Sequence, residues 1–178
     1  MRKLKSAGIV VDKTAVIHKL VHIQVSTRGT RVVIGAGTEI DAFVKIKPTG
    51  GPGDVVIGDR CFINSCTVIY SGNGVHIGND VLIGPNVSLV PINHEYADAT
   101  RTIKSQGYAP SKGGIVIGND VWIGAGCTIL DGAKIRDGAV IGAGSLVHGE
   151  IAPYSVNVGS PTRQVGFRGG PDTAVRSA

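Results

Sequence analysis

The sequence predicts an all-β protein, a parallel β-helix of hexapeptide repeats with one protruding arm loop. Three observations carry this prediction: an aliphatic residue recurs every six positions, glycine often follows it, and one long segment interrupts the pattern. A period of six fits neither an α-helix nor an ordinary β-meander. It fits a short strand that ends in a tight corner, with three such strands closing one coil.

The recurring aliphatic residues, called anchors below, group in threes, and each triplet is predicted to line the inside of one coil. Small or β-branched residues stand two positions before the anchors. Ile17 and Ile23 are predicted to belong to an incomplete first coil, and the repeat stops after Val147. The triplets are Ile34, Ile40, Ile46; Ile57, Ile63, Ile69; Ile77, Ile83, Leu89; Ile117, Ile123, Ile129; and Ile135, Ile141, Val147.

Glycine directly after an anchor is predicted to allow corner conformations that a Cβ atom would forbid. So high a glycine content, 27 residues, without a collagen period also indicates many tight turns. The glycines concerned are Gly35, Gly58, Gly78, Gly84, Gly118, Gly124 and Gly142.

The longest gap between anchors runs from Leu89 to Ile117 and predicts an arm loop over about residues 90–114. If every triplet is one coil, all insertions leave from the same corner, where flanking strands stay paired. Long loops of this kind are usually functional. We expect one domain over residues 1–168 and a disordered tail over residues 169–178.

The net charge is +5, and the basic residues are scattered along the chain. They do not form the basic run with interleaved aromatic residues that is typical of a nucleic-acid-binding protein. This charge fits an anionic small molecule better, or peripheral contact with an anionic membrane face. No apolar run approaches the roughly 18 residues of a membrane-spanning helix, and the amino terminus lacks a signal-peptide core. We therefore expect a cytoplasmic protein.

Three motifs identify a family: I-G-N-D-V-L-I-G-P-N-V at 77–87, N-H-E-Y-A-D-A-T-R at 93–101 and V-I-G-N-D-V-W-I-G-A-G at 116–126. The sequence resembles the hexapeptide-repeat acyltransferases, especially the galactoside, maltose and polysaccharide O-acetyltransferases. The resemblance implies a left-handed coil and acetyl-CoA as co-substrate, with no metal needed for catalysis. It also implies a homotrimer in which each arm reaches over the neighbouring subunit's cleft.

Acyl transfer from a thioester to a hydroxyl needs a base for the hydroxyl proton and donors for the oxyanion. His94 suits the first role, because an unperturbed imidazole has a pKa of about 6.5. Its position also matches the family's catalytic histidine. Asn93 and Glu95 flank it as predicted substrate contacts, although neighbours in an extended arm point apart, which disfavours Glu95 as the group that orients His94. Asn64 aligns with an acceptor-binding asparagine of the sugar acetyltransferases.

The resemblance also places the oxyanion donor and the coenzyme contacts. The donor is the backbone N–H of Ala125, a role for which the missing side-chain hydroxyl does not matter. A family lysine is absent, and the family's second arginine falls on Gly166, two residues before Arg168. The predicted coenzyme contacts are Trp122, Ala125, Ala143, His148, Arg163 and Arg168.

The acceptor side departs from the galactoside and maltose enzymes, which carry two aspartates where this chain has Ser71 and Gly72. The acceptor is therefore not their sugar, or it is held differently. N-acetylation of an amino sugar and acetylation of an antibiotic remain alternatives within the enzyme class.

Two alternatives lie outside acyl transfer. A non-enzymatic β-helix scaffold would not require a long polar arm. A zinc carbonic anhydrase of the same coil would need three histidine ligands, whereas His18 and His22 lie far in sequence from His76 and His94.

For the trimer, the outer coil faces are predicted to leave apolar side chains exposed. Those expected there are Val32, Val44, Val56 and Val68.

Overall fold

A computed structural model describes residues 8–169 as a stack of short strands that turn at corners. Among these residues, α1 (Ile103–Gln106) is the one helix, and no helix is long and apolar enough to cross a membrane. The strands are β1 (Ile9–Val11), β2 (Val16–Ile17), β3 (His22–Ile23), β4 (Val32–Ile34), β5 (Glu39–Ile40), β6 (Lys45–Lys47), β7 (Val55–Ile57), β8 (Phe62–Ile63), β9 (Val68–Tyr70), β10 (Val75–Ile77), β11 (Leu82–Ile83), β12 (Ser88–Val90), β13 (Ile115–Ile117), β14 (Trp122–Ile123), β15 (Thr128–Leu130), β16 (Lys134–Ile135), β17 (Val140–Ile141), β18 (Leu146–Val147), β19 (Glu150–Ile151), β20 (Ser155–Val158) and β21 (Arg163–Phe167).

Successive coils contribute one strand each to three sheets, which form the sides of a prism. Sheet 1 has the order β1-β4-β7-β10-β13-β16-β19, sheet 2 the order β2-β5-β8-β11-β14-β17-β20-β21, and sheet 3 the order β3-β6-β9-β12-β15-β18. Every pairing is parallel except β20 with β21. The predicted parallel β-helix is therefore confirmed.

The core is the inside of the prism, and the predicted anchors line it. Ile46, Ile63 and Ile123 are fully buried, like the other anchors from Ile34 to Val147. The residues two positions before them are buried as well, among them Thr38 and Cys127. Since burial of one isoleucine contributes about 1.5–3 kcal/mol, this column is the main source of stability.

Both ends of the coil extend further than the sequence pattern indicates. At the first end, β1 pairs with β4, so the coil of Ile17 and Ile23 has three sides and the prediction of an incomplete coil is wrong. At the other end, β19 and β20 continue beyond Val147, with Asn157 at the anchor position beside Ile141. Asn157 is buried, and its Nδ2 donates to the Ser155 hydroxyl at 2.8 Å. Because this hydrogen bond satisfies its amide, a polar residue can occupy an anchor position, and the six-residue aliphatic pattern is interrupted there.

The glycines after the anchors are needed for space rather than for backbone conformation. A Cβ atom on Gly78 would lie 2.6 Å from the Gly118 oxygen of the next coil. The left-handed conformation occurs two residues later, where Phe43 (φ 62°) and Arg60 (φ 53°) adopt it without being glycine. The predicted reason is therefore wrong: close approach of stacked corners, not positive φ, selects glycine there.

The insertions all leave from the corner between sheets 3 and 1, as predicted. We call this the third corner, and the corners between sheets 1 and 2 and between sheets 2 and 3 the first and second corners. The arm connects β12 to β13 across residues 91–114. The predicted disordered tail lies outside the described residues, apart from Gly169.

The outer faces differ in part from the prediction. Val32 and Val44 are 1% and 0% exposed and face the core, because each stands two positions before an anchor. Val56 and Val68 are half-buried and lie on outer faces. The most exposed apolar side chains of sheet 2 are Val16, Leu82 and Trp122.

Candidate functional site

The arm folds back on itself and holds His94 in a defined position. Residues 93–95 run antiparallel to 107–109, with the Ala109 N–H donating to the Asn93 oxygen at 3.0 Å. His94 Nδ1 lies 3.1 Å from the Gly107 oxygen, and its ring centroid lies 5.0 Å from that of Tyr108. A carbonyl oxygen only accepts hydrogen bonds, so a neutral His94 carries its proton on Nδ1 and leaves the Nε2 lone pair free.

Glu95 does not contact His94. Its Oε1 accepts the backbone N–H groups of Tyr96 and Ala97 at 2.8 and 2.9 Å, and these two bonds hold the pKa of Glu95 below its usual value. The group that orients His94 is therefore the Gly107 carbonyl. Asn93 is also turned to the backbone, since its Oδ1 accepts the His94 N–H at 2.9 Å.

A cavity of about 810 Å³ lies between the arm and the outer edge of sheet 3. Its floor includes Val90 and Leu130, which pair in neighbouring strands β12 and β15, and its wall includes Tyr96, Lys112 and His148. The predicted residues that it brings together are Asn93, His94, Glu95 and His148. His148, predicted as a coenzyme contact, thus shares a cavity with the predicted base.

Asp131 fixes the returning end of the arm, a role that the sequence analysis missed. Its Oδ2 accepts from the Lys112 N–H at 2.8 Å and from Asn73 Nδ2 at 3.0 Å, and its Oδ1 accepts from the Gly114 N–H at 2.8 Å. The only signal in the sequence is an acidic residue two positions after the anchor Ile129, next to the insertion corner.

Ala125 and Ala143 occupy equivalent places at the second corner of successive coils. Their neighbours are bonded: the Gly126 N–H donates to the Pro85 oxygen and the Gly144 N–H to the Ala125 oxygen, at 2.9 and 2.8 Å. The N–H groups of Ala125 and Ala143 have no acceptor among residues 8–169, and both residues are exposed. Unpaired backbone donors of this kind are ready to bind a ligand oxygen.

At the first corner the equivalent N–H groups of Ala36, Asp59, Asn79 and Asn119 are satisfied. Each is accepted by the Oδ1 atom of the Asp or Asn side chain one coil further on, at 2.7–2.9 Å. Pro85, Ala125 and Ala143 lack such an oxygen at the second corner. The accepting side chains form a ladder, which comprises Asp59, Asn79, Asn119 and Asp137.

Asn64 and Trp122 also lie on the side of the prism away from the arm. Asn64 is at the second corner, where its Oδ1 accepts the Ser65 N–H at 2.7 Å. Trp122 is 55% exposed on sheet 2, between Leu82 and Val140. The structure therefore does not bring either residue to the arm cavity of the same chain.

The two predicted coenzyme arginines lie at different corners. Arg163 pairs with Val158 where β20 approaches the second corner, and its guanidinium donates to the Thr162 oxygen at 3.0 Å. Arg168 forms an ion pair with Asp120 at 2.7 Å and donates to the Gly138 oxygen, both at the first corner. Arg168 thus has an acidic partner at the first corner, away from Arg163.

The site residues accordingly divide into two sets. The arm set is Asn93, His94 and Glu95, with His148, at the third corner. The second-corner set is Asn64, Ala125, Ala143 and Arg163, with Trp122 on the adjoining face. The strands of sheet 3 separate the two sets, so a single chain does not place His94 beside the Ala125 N–H.

The alternative of a zinc enzyme finds no ligand set in the described part of the chain. Over residues 8–169, no three His, Cys, Asp or Glu side chains converge in a way that could hold a metal ion.

The fold defines a class of protein, the parallel β-helix of hexapeptide repeats, and comparisons with known proteins agree with this fold. Residues 114–149 match the family described as bacterial transferase hexapeptide (six repeats), and residues 54–91 match the hexapeptide repeat of succinyl-transferase. A putative lipopolysaccharide biosynthesis O-acetyl transferase of Escherichia coli is 31% identical over 140 residues, which cover 76% of this chain and 68% of the relative. The chain belongs to the hexapeptide-repeat transferase family.

Two further comparisons concern chemistry and fold. The galactoside O-acetyltransferase of Escherichia coli is 38% identical over 112 residues, covering 63% of this chain and 53% of that protein. An N-acyltransferase of Bacillus cereus, solved with dTDP and coenzyme A, superposes with a TM-score of 0.73 at 23% identity, covering 89% of this chain and 83% of its own. This likeness shows the fold, a left-handed coil. The chain spans about half the length of most of the curated relatives that it matches.

Proposed function

We propose that the protein is an acetyl-CoA-dependent O-acetyltransferase that acts on a hydroxyl of a sugar or glycan precursor. The observation that carries the proposal is His94, whose Nδ1 is bonded to a carbonyl and whose Nε2 is free, in the wall of a cavity of about 810 Å³. Nε2 takes the proton from the acceptor hydroxyl, and the oxygen attacks the thioester carbonyl. The oxyanion accepts the Ala125 N–H, and CoA then leaves as the thiol with the proton from His94.

The coenzyme is proposed to lie along the second corner. The unpaired N–H groups of Ala125 and Ala143 offer two donors one coil apart, and Arg163 lies beyond them at the end of the same edge. Trp122 offers an exposed ring on the adjoining face. His148 lies in the arm cavity, so we propose it on the acceptor side rather than at the phosphates.

A complete site is proposed to need two subunits of a homotrimer. The arm set and the second-corner set lie on opposite sides of sheet 3, so the arm of one subunit has to meet the second corner of another. Sheet 2 supports this arrangement, because Phe62, Leu82, Trp122 and Val140 form an apolar column across four strands, and two of them are more than half exposed. Burial of such a column between subunits stabilises an oligomer.

The acceptor is proposed to differ from a simple galactoside. Ser71 is fully buried, and a Cβ atom on Gly72 would lie 2.6 Å from the Pro91 oxygen. Neither position can present a carboxylate to an acceptor, in contrast to the aspartate pair of the galactoside and maltose enzymes. N-acetylation of an amino sugar is the second candidate, because the fold is shared with an N-acyltransferase. Location in the cytoplasm and contact with an anionic membrane stay predictions.

The test is a screen of sugar nucleotides, glycan repeats and antibiotics with acetyl-CoA, read as release of free thiol. We expect release with a hydroxyl acceptor, thermal stabilisation by acetyl-CoA alone and an alkali-labile ester product. An alkali-stable amide would indicate the N-acetyltransferase instead. If acetyl-CoA does not stabilise the protein and no acceptor gives thiol release, the non-enzymatic β-helix scaffold becomes the favoured alternative.

The shared site predicts complementation between two inactive variants. We expect His94→Ala and Ala143→Trp subunits, each inactive alone, to recover about a quarter of wild-type activity when co-expressed, because random assembly pairs an intact arm with an intact corner at one site in four. Light scattering and thiol release provide the measurements. Trimers without recovered activity, or fully active monomers, would contradict the shared site.

Arg163 is predicted to bind the anionic end of the coenzyme. Arg163→Glu should raise the Michaelis constant for acetyl-CoA several-fold, more so at low salt, because exposed ion pairs are screened by salt. Turnover at saturation should change little. Arg28→Glu, at the far end of the coil, is the matched charge reversal. If the Michaelis constants for acetyl-CoA are the same in Arg163→Glu and Arg28→Glu at every ionic strength, the coenzyme phosphates do not bind at Arg163.

A further inference from the structure

We infer that Gln106 is a positioning residue for His94, an inference that rests on the proposed function of His94 as the base. Gln106 is the last residue of α1 and is half-buried within the arm. Its Oε1 accepts the Asp98 N–H at 3.0 Å, while its Nε2 donates to the Asp98 oxygen at 3.0 Å and the Arg101 oxygen at 3.3 Å. One side-chain amide thereby closes the loop from 98 to 106.

This closure bears directly on the histidine, because the next residue supplies its orienting carbonyl. Gly107 has φ 81° and ψ −140°, and a Cβ atom there would meet nothing within 4 Å. Its oxygen accepts both the Glu95 N–H at 3.1 Å and the proton of His94 Nδ1 at 3.1 Å. Gly107 has no side chain whose packing could fix its carbonyl. The antiparallel bonds to Asn93 and Glu95 hold this segment on one side, and the bonds made by Gln106 fix the chain on its amino-terminal side.

The partners of Gln106 explain why an amide is required. Asp98 presents one donor and one acceptor, which an amide satisfies together and a carboxylate cannot. In Gln106→Glu, one carboxylate oxygen would still accept the Asp98 N–H, but the other would face two carbonyl oxygens. The variant keeps the shape of the side chain and removes two of its three bonds.

Nitrogen-15 NMR of histidine-labelled full-length protein tests the inference without any acceptor. The His94 signals are assigned by their absence in His94→Gln. In the wild type, we expect the spectrum of a histidine protonated on Nδ1. In Gln106→Glu, the His94 spectrum should shift toward a mixture of the two tautomers, while the other four histidines stay unchanged. Lys104→Gln, on the same helix turn, should leave all five unchanged.

Kinetics give the second readout once an acceptor is known. Gln106→Glu should lower kcat about tenfold, a fraction of what a general base contributes, with an unchanged Michaelis constant for acetyl-CoA and an unchanged Tm. A wild-type His94 spectrum in Gln106→Glu would overturn the inference, as would a lower Tm that accounts for the loss of activity. A shifted spectrum in a protein that transfers no acetyl group would support the positioning role and reject the proposed function alone.

Discussion

His94→Ala is expected to lower turnover by on the order of a hundredfold or more, the size that a positioned general base contributes. The Michaelis constant for acetyl-CoA and the Tm should stay close to wild type. The proposed coenzyme contacts are second-corner residues and do not include His94, which is exposed outside the core. Steady-state thiol release and thermal unfolding measure the three quantities.

Two variants control this experiment. His76→Ala removes another exposed imidazole, on sheet 1 and away from the arm, and should leave turnover unchanged. His94→Asn retains a polar side chain that cannot take up a proton at neutral pH, so it should be as slow as His94→Ala. Wild-type turnover in either His94 variant would remove His94 from the mechanism.

Gly78→Ala is expected to cause a large loss of stability, although it adds a single methyl group. The new Cβ atom would lie 2.6 Å from the Gly118 oxygen and 2.8 Å from Asn119 Oδ1, and the backbone of a stacked corner cannot move aside. Overpacking of this kind costs about 3 kcal/mol or more. For a chain of this size, each 1 kcal/mol lowers Tm by about 2–4 °C. Differential scanning calorimetry of the purified variants measures the change.

Gly37→Ala separates lack of space from backbone strain. Gly37 has φ 65°, but the nearest atom to its added Cβ is Arg60 Cγ at 3.6 Å. The cost should be the strain of a left-handed residue, about 1 kcal/mol, so the drop in Tm should be about a third of that for Gly78→Ala. Equal drops in Tm would show that close approach at Gly78 costs no more than the left-handed backbone at Gly37, and would contradict the role of space.

The fold could be predicted from the sequence because its cause is local and repeated. Ile63 and Ile123 are buried for the same reason, so one period describes both. The period fails where a polar residue replaces an anchor with its hydrogen bonds satisfied, as at Asn157. Handedness does not follow from the period: parallel crossovers are right-handed in about 98% of cases, and the left-handed coil was implied only by the resemblance.

The site could be predicted only in part. The arm could be predicted from the gap between the anchors Leu89 and Ile117, and His94 from the motif at 93–101. The residues that contact His94 lie in a loop that has no repeat pattern, so they could not be predicted. Nothing in the sequence links Gln106 to Asp98, or Asp131 to Lys112, because these contacts exist only after the arm has folded back. The positive charge of Arg168 suggested a phosphate contact, but its neighbour in space is Asp120.

The ladder of Asp and Asn side chains gives the prism three chemically unequal edges. Along the first edge, the N–H groups of Ala36, Asp59, Asn79 and Asn119 are already taken by a side chain of the coil that follows. The second is receptive at Ala125 and Ala143, and the third is occupied by the arm. An extended ligand that carries its own amides therefore finds neighbouring free donors along the second edge. One residue per coil decides this, Asp or Asn on the first edge and Ala or Pro on the second.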